Sequence, residues 1–139
     1  MAGYSGKPLV QKLGIKPGFC IFVDGLSVAY ADVVGELPDD VRIAKTVRAP
    51  LDMVHVFAAE AKGLAAKLRG YRKAIAPGGM IWASWPKKAS GVVTDVTETL
   101  VRETALANGL VDIKVCAVDD AWSGLKLVIP VKDRAAGSR

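Results

Sequence analysis

The 139-residue chain holds two cysteines and one histidine, and no long apolar run. Two thiols without a C-x-x-C pair and a lone imidazole cannot complete a Cys/His zinc set, so no metal is expected. Cys20 and Cys116 each fall within an apolar, strand-like run (Phe19 to Val23 and Val115 to Val118). That setting predicts two buried free thiols. No stretch approaches the roughly 18 apolar residues needed to span a bilayer, and the N-terminus lacks the apolar centre of a signal peptide. A cytoplasmic protein with no membrane partner is expected.

What is present is a foldable chain. At 51% hydrophobic and 24% charged residues it has ample apolar material for a core, which excludes intrinsic disorder. The length fits one domain burying roughly two-thirds of its unfolded surface, expected over residues 1–132. Residues 133–139 carry no apolar anchor and read as a frayed tail. The net charge of +5 permits an anionic partner without requiring one.

Along the chain, Pro8 suits the first position of a short helix through Leu13, with Gly14 as its stop. The run Phe19-Cys20-Ile21-Phe22-Val23 lacks polar alternation and predicts a strand covered on both faces, as in a parallel sheet. A short helix fits within 26–34. The segment Val41 to Val47 alternates weakly, and only Arg48-Ala49-Pro50 separates it from the strong strand candidate Leu51 to Phe57. A parallel crossover needs about a dozen residues. The segment is therefore either antiparallel to its successor or a short strand followed by an extended return.

The remainder is more regular. Glu60 to Ile75 spaces Leu64, Leu68, Tyr71 and Ile75 along one helical stripe, with Pro77-Gly78-Gly79 as its stop. A strand over Met80 to Trp85 follows. After the polar loop Pro86 to Gly91, a helix is expected to about Asn108, capped by Thr94 or Asp95. Two strands, about Val111 to Asp119 and Ser123 to Val131, close the chain as an antiparallel hairpin. The alternation predicts a three-layer α/β domain with a mostly parallel, Rossmann-like sheet and a C-terminal antiparallel hairpin.

The segment Leu51-Asp52-Met53-Val54-His55-Val56-Phe57, the following helix and Ala76-Pro77-Gly78-Gly79-Met80-Ile81-Trp82 resemble the fourth strand, helix and fifth strand of class I S-adenosylmethionine-dependent methyltransferases. The closing hairpin is similar to the last two strands of that fold. Longer motifs resemble a bacterial family of small uncharacterised proteins with a domain of unknown function. They are Gly3 to Gly6, Lys12 to Gly18, Trp85-Pro86-Lys87-Lys88-Ala89-Ser90-Gly91, Gly109 to Asp119 and Trp122-Ser123-Gly124-Leu125-Lys126. That resemblance brings no catalytic residues with it.

Departures from the methyltransferase pattern shape the functional expectation. The first strand ends Val23-Asp24-Gly25-Leu26 with no G-x-G, the second-strand region is basic around Arg42, Lys45 and Arg48, and a helix–strand unit is missing before Leu51. A truncated methyltransferase-like scaffold without a cofactor is therefore expected, acting as a non-catalytic module for a small anion or a protein partner. The alternative is a minimal S-adenosylmethionine-binding methyltransferase.

Ligands of open α/β sheets bind outside the carboxyl ends of the parallel strands. Three loops fall there: Asp24-Gly25-Leu26, Ala58-Ala59-Glu60 and the stretch from Pro86 to Thr94. In the third, Lys87, Lys88, Ser90, Gly91 and the helix-opening Thr94 suggest a phosphate or carboxylate site, against the alternative of a solvated basic loop with an ordinary cap. His55, mid-strand with no Ser or Cys nucleophile in evidence, reads as a hydrogen-bonded core residue rather than a general base. Trp122, at the hairpin tip, is a candidate partner surface, and a homodimer through it or an exposed strand is open. Asp119-Asp120 reads as turn chemistry. Arg69, Arg72 and Lys73 fall on one helical turn, but no recognition-helix or RNP-like pattern accompanies them, so no nucleic-acid partner is expected.

Overall fold

The computed structural model describes residues 7–137. The motif Gly3 to Gly6 and the last two tail residues lie outside the described residues. Helix α1 (Leu9–Leu13) leads into β1 (Cys20–Asp24), and a second short helix, α2 (Tyr30–Val34), precedes β2 (Arg42–Ala44). Next come β3 (Leu51–Phe57), α3 (Leu64–Ala74), β4 (Ile75–Pro86), α4 (Glu98–Ala107), β5 (Val111–Ala117), β6 (Trp122–Val128) and α5 (Val131–Gly137). The strands form one six-stranded sheet in the order β2-β1-β3-β4-β6-β5. β1 pairs in parallel with both β2 and β3, and β3 with β4, while β6 runs antiparallel to β4 and β5. The predicted three-layer α/β architecture with a terminal antiparallel hairpin is what forms.

Helices cover the two faces unequally. On one face Leu51, Val54, Val56, Ile81, Ala83, Leu125 and Leu127 pack against Leu64, Leu68 and Tyr71 of α3 and Val101 and Ala105 of α4. On the other, Ile21, Met53, Phe57, Trp82 and Val128 meet Leu13 of α1 and Tyr30 and Val34 of α2. Strict alternation would place Leu51 and Met53 on the same face. A register shift between them in the β3–β4 ladder turns Leu51 to the α3/α4 side.

Of the two alternatives for residues 41–47, the second forms: β2 is a three-residue edge strand parallel to β1, followed by an extended return. Residues 45–50 then return past β1 to the start of β3, across two strand spacings of about 10 Å in all, well within the reach of a six-residue chain at up to ~3.5 Å per residue. No helix or strand fits there. Other expectations are corrected. α4 is capped by Thr97, whose side chain accepts from Leu100 N at 3.1 Å, because Thr94 and Asp95 are committed elsewhere, as shown below. Cys20 and Cys116 are half-buried rather than buried, both being free thiols on strands with a partly open face. Helix α5 covers Val131–Gly137, with Arg134 Nε donating to Ile129 O at 2.9 Å. Among the described residues no helix is long and apolar enough to cross a membrane.

Candidate functional site

Strand order reverses at β1: the chain steps from β1 outward to β2, then returns to β3 on the other side. Such a switch point leaves a crevice at the carboxyl ends of the strands, where open α/β sheets bind ligands. The residues there are Asp24 and Gly25 after β1 and Phe57 to Glu60 after β3. Asp24 Oδ2 accepts from Tyr71 Oη at 2.5 Å and lies 3.1 Å from Lys67 Nζ. Burial, then the Asp24 hydrogen bond and charge, push the Tyr71 phenol well above its ordinary value, so it stays a donor. Gly25 has φ +83, and a Cβ there would lie 2.3 Å from Phe57 O. Only glycine permits this turn and so close an approach of the two strand ends.

Beside this turn lies a cavity of about 280 Å³ lined by Phe57, Ala58, Ala59, Glu60, Lys62, Leu64 and Lys67. Its floor is the β3–α3 loop, held at three points. Ala58 N donates to Ser84 O at 2.9 Å, Thr94 Oγ1 donates to Ala59 O at 2.6 Å, and Ala61 N donates to Asp95 Oδ1 at 2.8 Å. Lys67 both lines the cavity and pairs with Asp24 beside it. The cavity wall thus offers a carboxylate (Glu60) and ammonium groups (Lys62, Lys67), able to meet a ligand with hydroxyls and both signs of charge.

In the anion cradle expected over Lys87 to Thr94, the hydroxyls already have protein partners. Lys88–Ser90 is a 3₁₀ turn in which Ser90 Oγ donates to Lys87 O at 2.6 Å and accepts from Val92 N at 3.2 Å. The amides of Ser90 and Gly91 are likewise spent on Lys87 O and Lys88 O. Thr94 precedes the first turn of α4 and braces the neighbouring loop. Trp122 is half-buried at the start of β6, its ring edge-to-face with Phe57 at 5.1 Å. Asp119 Oδ1 accepts from Ala121 N and Trp122 N, as turn chemistry predicts. Arg69 bonds to Asn108 and Arg72 to Gly109 O, tying α3 to the end of α4 instead of forming a free basic face.

His55 is fully buried, and the register supplies the neighbour that the sequence hides. Pairing Phe57 with Ser84 sets that serine diagonally across from His55, and Nε2 lies 2.7 Å from Ser84 Oγ while Nδ1 lies 2.7 Å from Tyr30 Oη. The ring stacks on Phe57 at 4.2 Å. Burial pushes the imidazole down to about 3 and raises the Tyr30 phenol. With His55 and Ser84 at 0% and 1% exposure, the relay reaches no solvent and works as a neutral structural network. Among the described residues no three His, Cys, Asp or Glu side chains gather as a metal ion would require.

No family model matches the chain, and no curated protein matches it in sequence. The fold is similar to that of an SAM-dependent methyltransferase from Aquifex aeolicus, at 14% identity and TM-score 0.61, over 86% of this chain and 87% of that one. It is also similar to the magnesium protoporphyrin IX methyltransferase of Synechocystis PCC 6803 with bound SAH, at 9% identity and TM-score 0.58, over 87% and 78%. A TehB-like SAM-dependent methyltransferase from Corynebacterium glutamicum matches at 10% identity and TM-score 0.57, over 86% and 85%. The scaffold is thus methyltransferase-like. These likenesses overturn the expectation of a non-catalytic module and remove support for the expectation of no cofactor, because the shortened sheet still spans most of proteins named for that reaction.

Proposed function

We propose that the chain is a minimal S-adenosylmethionine-binding methyltransferase, with its cofactor at the carboxyl ends of β1 and β3. The observation that carries this reading is the glycine-only turn at Gly25, placed at the point of strand reversal beside a polar cavity. The residues fit the group's chemistry. Glu60 can accept from ribose hydroxyls, Asp24 can face the cationic end, and Lys62 can meet the amino-acid carboxylate. At about 280 Å³ the cavity stands just below the roughly 300–1,000 Å³ usual for small-ligand pockets, so it admits one end of such a molecule. When bound, the cofactor supplies an electrophilic methyl group on a sulfonium centre. The chain's own contribution is to orient that group and, through the braced 58–63 loop, to keep the pocket's floor rigid.

Calorimetry with S-adenosylmethionine and S-adenosylhomocysteine tests the proposal. Binding with Kd of about 10–100 μM, lost in Gly25→Trp and weakened about tenfold in Glu60→Gln, is the expected result. Absence of heat with either compound at about 1 mM, from protein shown folded by its NMR spectrum, overturns it.

A further inference from the structure

The amino ends of the strands hold another cavity, of about 450 Å³, whose lining includes Lys16, Phe19, Asp52, Gly79, Met80 and Lys126. It lies at the amino ends of β1, β3 and β4, remote from the switch-point crevice. Two lysines face one acid there, and the acid is engaged: Asp52 Oδ2 accepts from Cys20 N at 2.8 Å. Lys114 pairs directly across the β5–β6 ladder with Lys126, an arrangement in which like charges repel and destabilise the sheet. None of the ion pairs among the described residues involves Lys16, Lys114 or Lys126. Burial, followed by the charges of Lys114 and Lys16, pushes the Lys126 ammonium below its ordinary value.

Shape supports the same conclusion. At Gly79 an added Cβ would stand 3.0 Å from both Ala76 O and Asp52 O, so a side chain there would crowd the floor of the cavity. Phe19 and Met80 give the cavity an apolar wall. Lys126 Nζ reaches to 3.8 Å of the position a Gly14 Cβ would occupy, which places its charge at the end of α1. Lys16, Lys114 and Lys126 outnumber the one carboxylate, Asp52, and this net positive charge beside an apolar wall suits a ligand with a compact negative charge and a flat body.

We propose that the amino-end cavity is a second small-molecule site, binding a phosphomonoester that carries a flat apolar group between Lys16 and Lys126. The phosphate relieves the repulsion between Lys126 and Lys114, and the flat group lies against Phe19 and Met80. The proposal stands apart from cofactor binding at the carboxyl ends of the strands.

The test is an amide-detected NMR titration of the intact protein with phenyl phosphate, inorganic phosphate and phenol. Phenyl phosphate is expected to shift Gly14, Phe19, Gly79 and Lys126 in a saturable way, inorganic phosphate to shift the same amides more weakly, and phenol to shift none. Lys126→Met is expected to weaken phenyl phosphate about tenfold or more while raising the thermal midpoint of the free protein, because the cross-strand repulsion is gone. Lys16→Gln, on the surface, gives the same loss of affinity if the first variant folds poorly. Shifts scattered over remote lysines such as Lys73 and Lys88, unchanged affinity in both variants, or no shift at all would falsify the proposal. S-adenosylmethionine calorimetry on Lys126→Met is expected to be unchanged, so the two sites fail or stand separately.

Discussion

The two faces of the sheet draw on the same apolar strand residues yet differ in what else they bury. One is covered by helices of 11 and 10 residues and is aliphatic throughout its centre. The other is covered by two helices of five residues each, and Tyr30 of α2 reaches down to His55, which also meets Ser84. A five-residue helix spans only about 7.5 Å, so two of them leave gaps over a sheet that α3 and α4 seal. The polar groups near those gaps must satisfy one another, and they do: no buried side-chain nitrogen or oxygen among the described residues lacks a partner. Long helices give a face whose centre is stabilised mainly by packing; short helices give one whose centre also depends on hydrogen bonds.

Three perturbations sharpen the contrast. The largest effect belongs to the sealed face. Ile81→Ala removes a fully buried side chain from its centre and is expected to lower stability by about 3–4 kcal/mol in urea unfolding. A loss below about 1 kcal/mol would mean that this face is not close-packed.

Acidification is expected to act through the other face. His55 is held near 3 in the fold against an ordinary value of 6.5, so the neutral ring is the folded form. Its contribution is fully present above pH 6.5 and is lost as pH falls from there toward 3. Stability measured by unfolding at pH 7 and pH 5 should differ by about 2 kcal/mol, and the difference should vanish in His55→Leu. The smallest effect is that of Tyr30→Phe, which strips Nδ1 of its partner at a cost of about 1–2 kcal/mol. An equal loss from Ile81→Ala and Tyr30→Phe would erase the distinction between the faces.

Much of the fold was legible because its signals are local. The apolar run at Leu51 to Phe57, the 3.6-residue stripe of Leu64, Leu68 and Tyr71, and the short connection before Trp122 are each readable within a few residues. The candidate site was legible at its loops: Asp24-Gly25 and the Glu60 loop were flagged by their place after strands. Tyr71 and Lys67, which hold Asp24, were invisible because they come from a helix more than 40 positions away. The Lys87 to Thr94 loop is the opposite case. Its residue types suit an anion, while the Ser90 and Thr94 hydroxyls and the Ser90, Gly91 and Val92 amides are bonded within local turns and to the neighbouring loop.

The sequence by itself determined the mixed α/β class and the mostly parallel sheet with its closing antiparallel hairpin, since periodicity, turn residues and connection length act over short separations. Tertiary structure decided the rest. It set β2 beside β1, brought Ser84 to His55, aligned Lys114 with Lys126 and gathered Asp24, Lys67 and Glu60 at one edge. Those juxtapositions depend on strand register and strand order, which arise from packing the whole chain at once and leave no mark on any short stretch of it.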